Sequence, residues 1–298
     1  MAYSARVLKD SLSPDGVRLT TVEVTFPRIV LAEFNTHRVF SRNSASSRAI
    51  PVEKMLKRVI EDPFVPIYWG KNQKGMQADR EVTAEEIIIA TNEWLQARDY
   101  AVAQAKSLLA LGIHKQITNR LLEPFLWQTV LVTSSEWDNW NALRRHPDAQ
   151  PEIKRAADIM YNVRNASIPT QLHYGEWHLP LTPEVDDIIA QQGVVDWAYW
   201  KKVSTGRCAR VSLLTHDGKR DPAADIELGN RLLVSGHMSP FEHIARPLER
   251  KDVASWESCS TVFKGNFRGW FQYRKELLFE NNYAAAMTAL NQIDEITV

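Results

Sequence analysis

Between Val17 and Leu31 the chain alternates: Val22, Val24 and Phe26 are interleaved with Thr21, Glu23 and Thr25. A period of two belongs to a β-strand and argues for one buried face, with Pro27 placing a bulge or an edge near its end. Residues 3–12 read as a strand before it, joined by the turn Ser13-Pro14-Asp15-Gly16, in which Pro presets φ and Gly accepts a positive one. This strand pair delivers the run from Thr36 to Arg48 to a fixed place. That run carries the His37 imidazole, the guanidiniums of Arg38, Arg42 and Arg48, the hydroxyls of Ser41, Ser44, Ser46 and Ser47, and the Asn43 carboxamide. Guanidinium forks grip phosphate bidentately, and short hydroxyls and Asn reach phosphate oxygens or base edges, so the run suits a phosphate and a heterocycle held together. A solvated polar turn after a strand would have much the same composition.

The remainder is mostly helical. Residues 51–77 read as an irregular excursion that would cover a site. Thr83 and Glu86 form a capping box for a long helix through Leu111, ended by Gly112. A second helix is expected near His114, carrying Asn119 and Arg120. Residues 125–133 are apolar and β-branched, 134–144 return to helical spacing, and Pro151 opens a helix to about Asn165. Further helices are expected from Pro183 to Gly193, from a cap at Asp196 towards Ser212, and from Asp221-Pro222 to Gly236, with a strand over 253–263. Strands mixed with long helices make the fold class α/β (α+β), with an antiparallel or mixed sheet.

Composition narrows the function classes. Lys plus Arg and Asp plus Glu are 36 each, so no overall basic excess draws the chain to nucleic acid or anionic lipid, and any anion site is local. Cys208 and Cys259 give neither a disulfide framework nor a zinc spacing, and buried small hydrophobes suit both better than nucleophiles. A reducing cytoplasm is the simplest compartment, and no signal peptide or membrane-length apolar run is visible. His173 and His178 stand apart from other ligand types, so no metal is expected.

Order within the polar run adds more. His37-Arg38, Ser41, Asn43, Ser46 and Arg48 spell H-R-x2-S-x-N-x2-S-x-R, which resembles the signature of the flavin-dependent thymidylate synthases. Two further stretches are similar to the same family: Ala209-Arg210-Val211-Ser212 followed by Gly236-His237-Met238-Ser239-Pro240-Phe241-Glu242-His243, and Leu143-Arg144 followed by Ala149-Gln150-x-Glu152-Ile153. In the usual family chain the Pro-Phe-Glu-His loop precedes the His-Arg stretch, whereas here it follows some two hundred residues later. The resemblance therefore implies a circularly permuted single domain over 1–298, with 1–180 the His-Arg and nucleotide part and 181–298 the permuted part. Arg268–Arg274 resembles a decayed second copy of the His-Arg stretch.

The resemblance implies that FAD, reduced by NADPH, and methylenetetrahydrofolate convert dUMP to dTMP in a homotetramer, without membrane or nucleic acid. It assigns His37, Arg38, Asn43, Asn139, Ser212 and His243 to the flavin. Ser46 and Arg48 are assigned to the nucleotide phosphate, with Glu33 and Ser44 beside the nucleotide. Arg144 is assigned to the pyrimidine carbonyls; Ser46 and Arg144 are the catalytic candidates. Arg120, or its neighbour Asn119, falls near another family arginine on the phosphate side. Three positions depart: Thr36 stands for the family's first Arg, Ser44 for its Glu, and Glu33 for its usual Gln. They leave open a relative that methylates or hydroxymethylates dCMP or dUMP, and a non-catalytic nucleotide-binding homologue. A nucleic-acid-binding module is disfavoured by the zero net charge.

Overall fold

A computed structural model describes residues 3–213, 221–252, 264–277 and positions 280–282, 284, 285 and 288, with Ser212 and Leu213 described by backbone alone. Strands β1 (Ser4–Leu12) and β2 (Arg18–Pro27) form the antiparallel pair expected from the alternation. β2 stops at Pro27, short of the expected Leu31, because Arg28–Val30 winds into a 3-10 turn and Leu31–Phe34 into a one-turn helix, α1. Pro27 thus ends the strand, and the register shift falls in β1, between Val7 and Lys9. The polar run follows as a short strand, β3 (Ser41–Ser44), and a 3-10 turn over Ser47–Ala49.

The expected excursion after Pro51 holds a helix, α2 (Val52–Glu61), whose buried Val52, Met55, Leu56 and Val59 recur at helical spacing. The capping box is present: Thr83 and Glu86 close the start of α3 (Ala84–Ala110), and Gly112 follows it at a φ of 74°. The helix expected near His114 is one turn, α4 (Lys115–Thr118), continued as a 3-10 segment to Phe125. Strand β4 (Trp127–Ser134) leads into α5 (Asp138–Arg144) and α6 (Pro151–Ala166). The two-residue β5 (Thr170–Gln171), α7 (Pro183–Ala190), α8 (Trp197–Leu213) and α9 (Pro222–Val234) follow. Among the described residues the chain closes with β6 (Ala245–Pro247) and β7 (Trp270–Gln272), paired antiparallel. The strand expected over 253–263 lies outside the described residues.

The main sheet has the order β3-β4-β2-β1-β5 and is mixed, since β1 and β5 run parallel. Helix α6 covers one face, against β1 and β2, and α8 covers the other, against β3 and β4. The first face carries the largest apolar cluster: Val22, Val24, Phe26, Val130 and Val132 meet Phe34, Phe40, Trp137, Trp140 and Met160. One buried face was expected on β2. Both are buried: Thr21 and Thr25, on the side opposite Val22 and Phe26, bond the Thr133 and Thr129 hydroxyls across the strands, while Thr20, on the apolar side, bonds Asp10.

That second layer is held by ions. Buried Arg207 on α8 donates to Asp225 at 3.1 Å and, through both terminal nitrogens, to Glu184 at 2.8 Å; Arg210 donates to the other oxygen of Asp225 at 2.5 Å. The helices cross closely at Gly206, where a Cβ would stand 2.0 Å from the Asp225 carbonyl oxygen. Any side chain at 206 would force α8 and α9 apart.

Candidate functional site

The three guanidiniums of the polar run have separate fates. Arg42 is consumed by the loop that carries it: it donates to the Asn35 side chain at 2.8 Å and to the carbonyls of Asn35, His37 and Phe40 at 2.8, 2.8 and 3.1 Å. Four bonds to a tight turn make it a brace. Arg38 is exposed, and Arg48 projects from the 3-10 turn after β3 with no partner among the described residues. Ser46 caps that turn, its hydroxyl accepting from the Arg48 amide at 3.4 Å. Asn119, fully buried, holds the same turn from behind by donating to the carbonyls of Ser47 and Ile50 at 2.7 and 2.9 Å.

Arg48 stands at a cleft of about 640 Å³ between the polar run and the second helical layer. Asn43, Ser44 and Ser46 line one side; Ala209, Leu232, His237, Ser239 and Pro240 line the other. The two stretches that resemble the same family, far apart in sequence, thus face each other across one space. Asn43 ties them together by donating to the Cys208 carbonyl at 2.9 Å. From the far sheet, Gln272 on β7 donates to the Ser41 hydroxyl at 2.8 Å and to the Glu242 carbonyl at 3.0 Å. Gln272 carries no signal in the sequence beyond its place in the Arg268–Arg274 segment.

A second group forms around His37. Arg144, at the end of α5, donates from Nε to His37 Nε2 at 3.0 Å and from a terminal nitrogen to the Thr36 hydroxyl at 3.1 Å and the Glu33 carbonyl at 3.3 Å. His37 packs edge-on to Trp140, with ring centroids 4.7 Å apart. Burial first, then the Arg144 and Arg42 cations, push its pKa down to about 4, so the ring is neutral and accepts at Nε2. Thr36, standing where a cation was expected from the resemblance, is what lets the Arg144 guanidinium settle here. Glu33 Oε2 is buried with no donor among the described residues.

A third group lies at a more open cleft of about 480 Å³ lined by Arg28, Ala32, Asn35, Arg120 and Glu123. One Glu123 oxygen accepts from Arg28 at 3.0 Å, Arg120 at 2.7 Å and Ser47 at 2.5 Å. Burial raises that carboxyl, and the Ser47 hydroxyl and Arg28 outweigh it, leaving the pKa below its usual value. Asn35 borders both clefts.

His243 lies deeper, at the end of the 3-10 turn Ser239–His243. It is fully buried; Nδ1 bonds the Thr133 hydroxyl at 2.8 Å, and Nε2 has no partner among the described residues. Burial alone pushes its pKa down to about 3. Asn139 is exposed on the first turn of α5, and the side chain of Ser212 lies outside the described residues. Burial pushes the Cys208 thiol up to about 12, which removes it as a nucleophile; Cys259 lies outside the described residues. Among the described residues no cluster of His, Cys, Asp and Glu could hold a metal, and no helix is long and apolar enough to cross a membrane.

The mixed sheet with its two helical covers, and two clefts that arginines border, define an α/β protein. Residues 17–170 match the family described as Thymidylate synthase complementing protein, just over half of the 298 residues, and the chain belongs to that family, the flavin-dependent thymidylate synthases. No curated protein matches the chain. Among solved structures, the UMP/dUMP methylase PolB from Streptomyces cacaoi bound with 5-Br UMP is similar at a TM-score of 0.44 and 17% identity, over 54% of this chain and 88% of that one. The same methylase bound with 5-Br dUMP gives a TM-score of 0.43 and 16% identity, over 54% and 89%.

Proposed function

We propose that this chain is a methyltransferase that binds a pyrimidine deoxynucleotide monophosphate in the cleft between Asn43–Ala49 and His237–Pro240. In this reading it converts dUMP to dTMP with FAD, NADPH and methylenetetrahydrofolate. One observation carries the reading: inside the stretch that matches the family, Arg48 has no partner among the described residues at a cleft lined by Ser44, Ser46, Ser239 and Asn43, while Arg42, which also borders the cleft, makes four bonds to its own loop. A free guanidinium among short hydroxyls is what a phosphomonoester requires.

Bound FAD would supply the reducing electrons that turn the transferred one-carbon unit into a methyl group. The residues suit such a group in one respect: the open Nε2 of His243, beside the turn that lines the cleft, would meet a ring with polar edge atoms. Asn43, Asn139, Arg38, His37 and Ser212 would complete its surroundings. Arg144, held in one orientation by neutral His37 and Thr36, would set a fixed cation against the pyrimidine carbonyls, stabilising negative charge as C5 becomes nucleophilic. Within one chain the His37–Arg144 pair does not line the cleft, and Arg120 lies at the other one. A homotetramer would bring one subunit's group to another's cleft and would cover Ile88, Ile89 and Tyr100, which are exposed on α3. The packing of α8 and the Ser239–His243 turn on β3 supports the permuted chain order.

The test is a visible absorption spectrum of the protein with FAD, then with anaerobic NADPH, followed by product mass. A bound-flavin spectrum that bleaches and a dTMP product support the reading; nucleotide binding without flavin binding would make the chain a non-catalytic homologue. Arg144→Ala should lower turnover while leaving flavin content nearly unchanged. A second reading, dCMP as the pyrimidine with a methyl or hydroxymethyl product, is favoured by Glu33: its buried Oε2 has no donor among the described residues, and a cytosine amino group would supply one. Product mass separates the two.

A further inference from the structure

Three carbonyls of the segment that carries Arg48 are held from outside the cleft. The Asn119 side-chain nitrogen donates to the carbonyls of Ser47 and Ile50 at 2.7 and 2.9 Å, and that of Gln128 donates to the Ala45 carbonyl at 3.0 Å. The Ser47 hydroxyl is taken up by Glu123 at 2.5 Å, also outside this cleft. Asn119 and Gln128 are buried, and neither lines the cleft that Ser46 and Arg48 line. Within the turn itself the bonds are few and mostly long: the Ala49 N–H reaches the Ser46 carbonyl at 3.0 Å, the Ile50 N–H reaches the Ser47 carbonyl at 3.4 Å, and the Ser46 cap spans 3.4 Å. A three-residue 3-10 turn closed so loosely depends on outside bonds for its place.

The direction of those carbonyls sets the direction of the donors. Carbonyls only accept, so the Asn119 amide has one orientation, nitrogen towards the turn, and its Oδ1 stays buried without a donor among the described residues. That stranded oxygen offsets part of what the two bonds contribute to stability, so the main effect of the side chain is to fix the place of two carbonyls. Across a planar trans peptide the next N–H points opposite to the carbonyl. With the Ala45 carbonyl on Gln128 and the Ser47 carbonyl on Asn119, the amides of Ser46 and Arg48 point away from the buried backing. The Arg48 amide there meets the Ser46 side-chain oxygen, which leaves the Ser46 O–H to donate elsewhere, and it has no acceptor among the described residues. One backbone arrangement thus brings both the Ser46 hydroxyl and the Arg48 side chain to the cleft.

We propose that Asn119 and Gln128 are positioning residues for the phosphate of the nucleotide: they hold the carbonyls of Ala45, Ser47 and Ile50 away from the cleft, so that Ser46 and Arg48 meet the anion as donors. The role rests on the nucleotide reading above.

The test is calorimetric titration of dUMP, and of deoxyuridine by displacement, into the full chain and its variants, with melting curves in parallel. The preference for dUMP over deoxyuridine reads the phosphate contact, so a general loss of stability does not move it. Asn119→Ala should lower that preference ~5-fold or more, with the deoxyuridine affinity within ~2-fold of the parent. Gln128→Met keeps the bulk and loses the Ala45 bond; it should lower the preference in the same direction, and it decides the matter if Asn119→Ala does not fold. Introduced into Arg48→Ala, Asn119→Ala should cost markedly less than in the parent, because most of the contact it serves is already gone. An unchanged preference in the folded variants, or an equal loss with and without Arg48, would overturn the proposal. If the folded parent binds no dUMP, the nucleotide reading fails and the positioning role goes with it; if it binds dUMP and the variants keep the parent preference, the positioning role falls alone.

Discussion

The two faces of the β2–β4 pair are both buried, yet they are built from different material. On one, Val22 lies opposite Val132 and Val24 opposite Val130, beneath aromatic rings and α6. On the other, Thr21 lies opposite Thr133 and Thr25 opposite Thr129, each pair bonded hydroxyl to hydroxyl; Thr133 lies beneath the Ser239–His243 turn, and Thr129 faces a small cavity that Met55 and Arg58 of α2 line. Apolar packing has no direction and tolerates small shifts, whereas bonded hydroxyls hold their partners at set angles. The first face supplies stability, and the second orients groups next to a cleft.

The contrast can be broken most severely on the apolar face. Phe34 is fully buried, stacked on Phe26 at 4.8 Å and edge-on to Trp140 at 5.0 Å. Phe34→Ala should cost ~3–5 kcal/mol in chemical denaturation, the range for an aromatic ring deleted from a core. Thr133→Val keeps the shape and strands two partners, so its loss should be smaller, ~1–3 kcal/mol. Equal losses at the two positions would erase the distinction between the faces.

A weaker effect separates them by pH. His37 has a folded pKa of about 4 against a usual 6.5, so below 6.5 the unfolded chain takes up the proton more readily. Stability should be full above about pH 6.5 and fall progressively towards pH 4, with His178 and His243 acting in the same direction. Melting temperatures across that range check this, and His37→Gln should flatten the slope. The smallest change in stability is expected at the cleft rim: Arg48→Ala touches no partner among the described residues and should stay within ~0.5 kcal/mol of the parent.

The apolar face was legible in the sequence because alternation is a local signal, and Val22, Val24 and Phe26 announce it unaided. The capping box before α3 and the Pro and Gly limits of α6 and α7 were legible for the same reason. The burial of Thr21 and Thr25 was not, since a threonine facing solvent and one facing another threonine across strands read alike. His178 looked isolated because its partners, Ser11 and Thr21, lie 167 and 157 residues away. The polar run could be singled out as a phosphate candidate, but not which arginine would be free. Arg42 and Arg48 differ in whether the backbone folds its carbonyls around them, and no spacing rule encodes that. The helix inside 51–77 was hidden by the Pro and Gly residues scattered through the segment after it.

The central claim is that the cleft beside the polar face, with Arg48 at its rim, holds a pyrimidine deoxynucleotide. Calorimetric titration of dUMP into the parent protein and into Arg48→Ala, with melting curves in parallel, tests it most directly. The account predicts saturable binding to the parent and an affinity lower by at least ~10-fold in the variant, the loss of one charge-assisted contact, at an unchanged melting temperature. Equal affinity in the two folded proteins would contradict it.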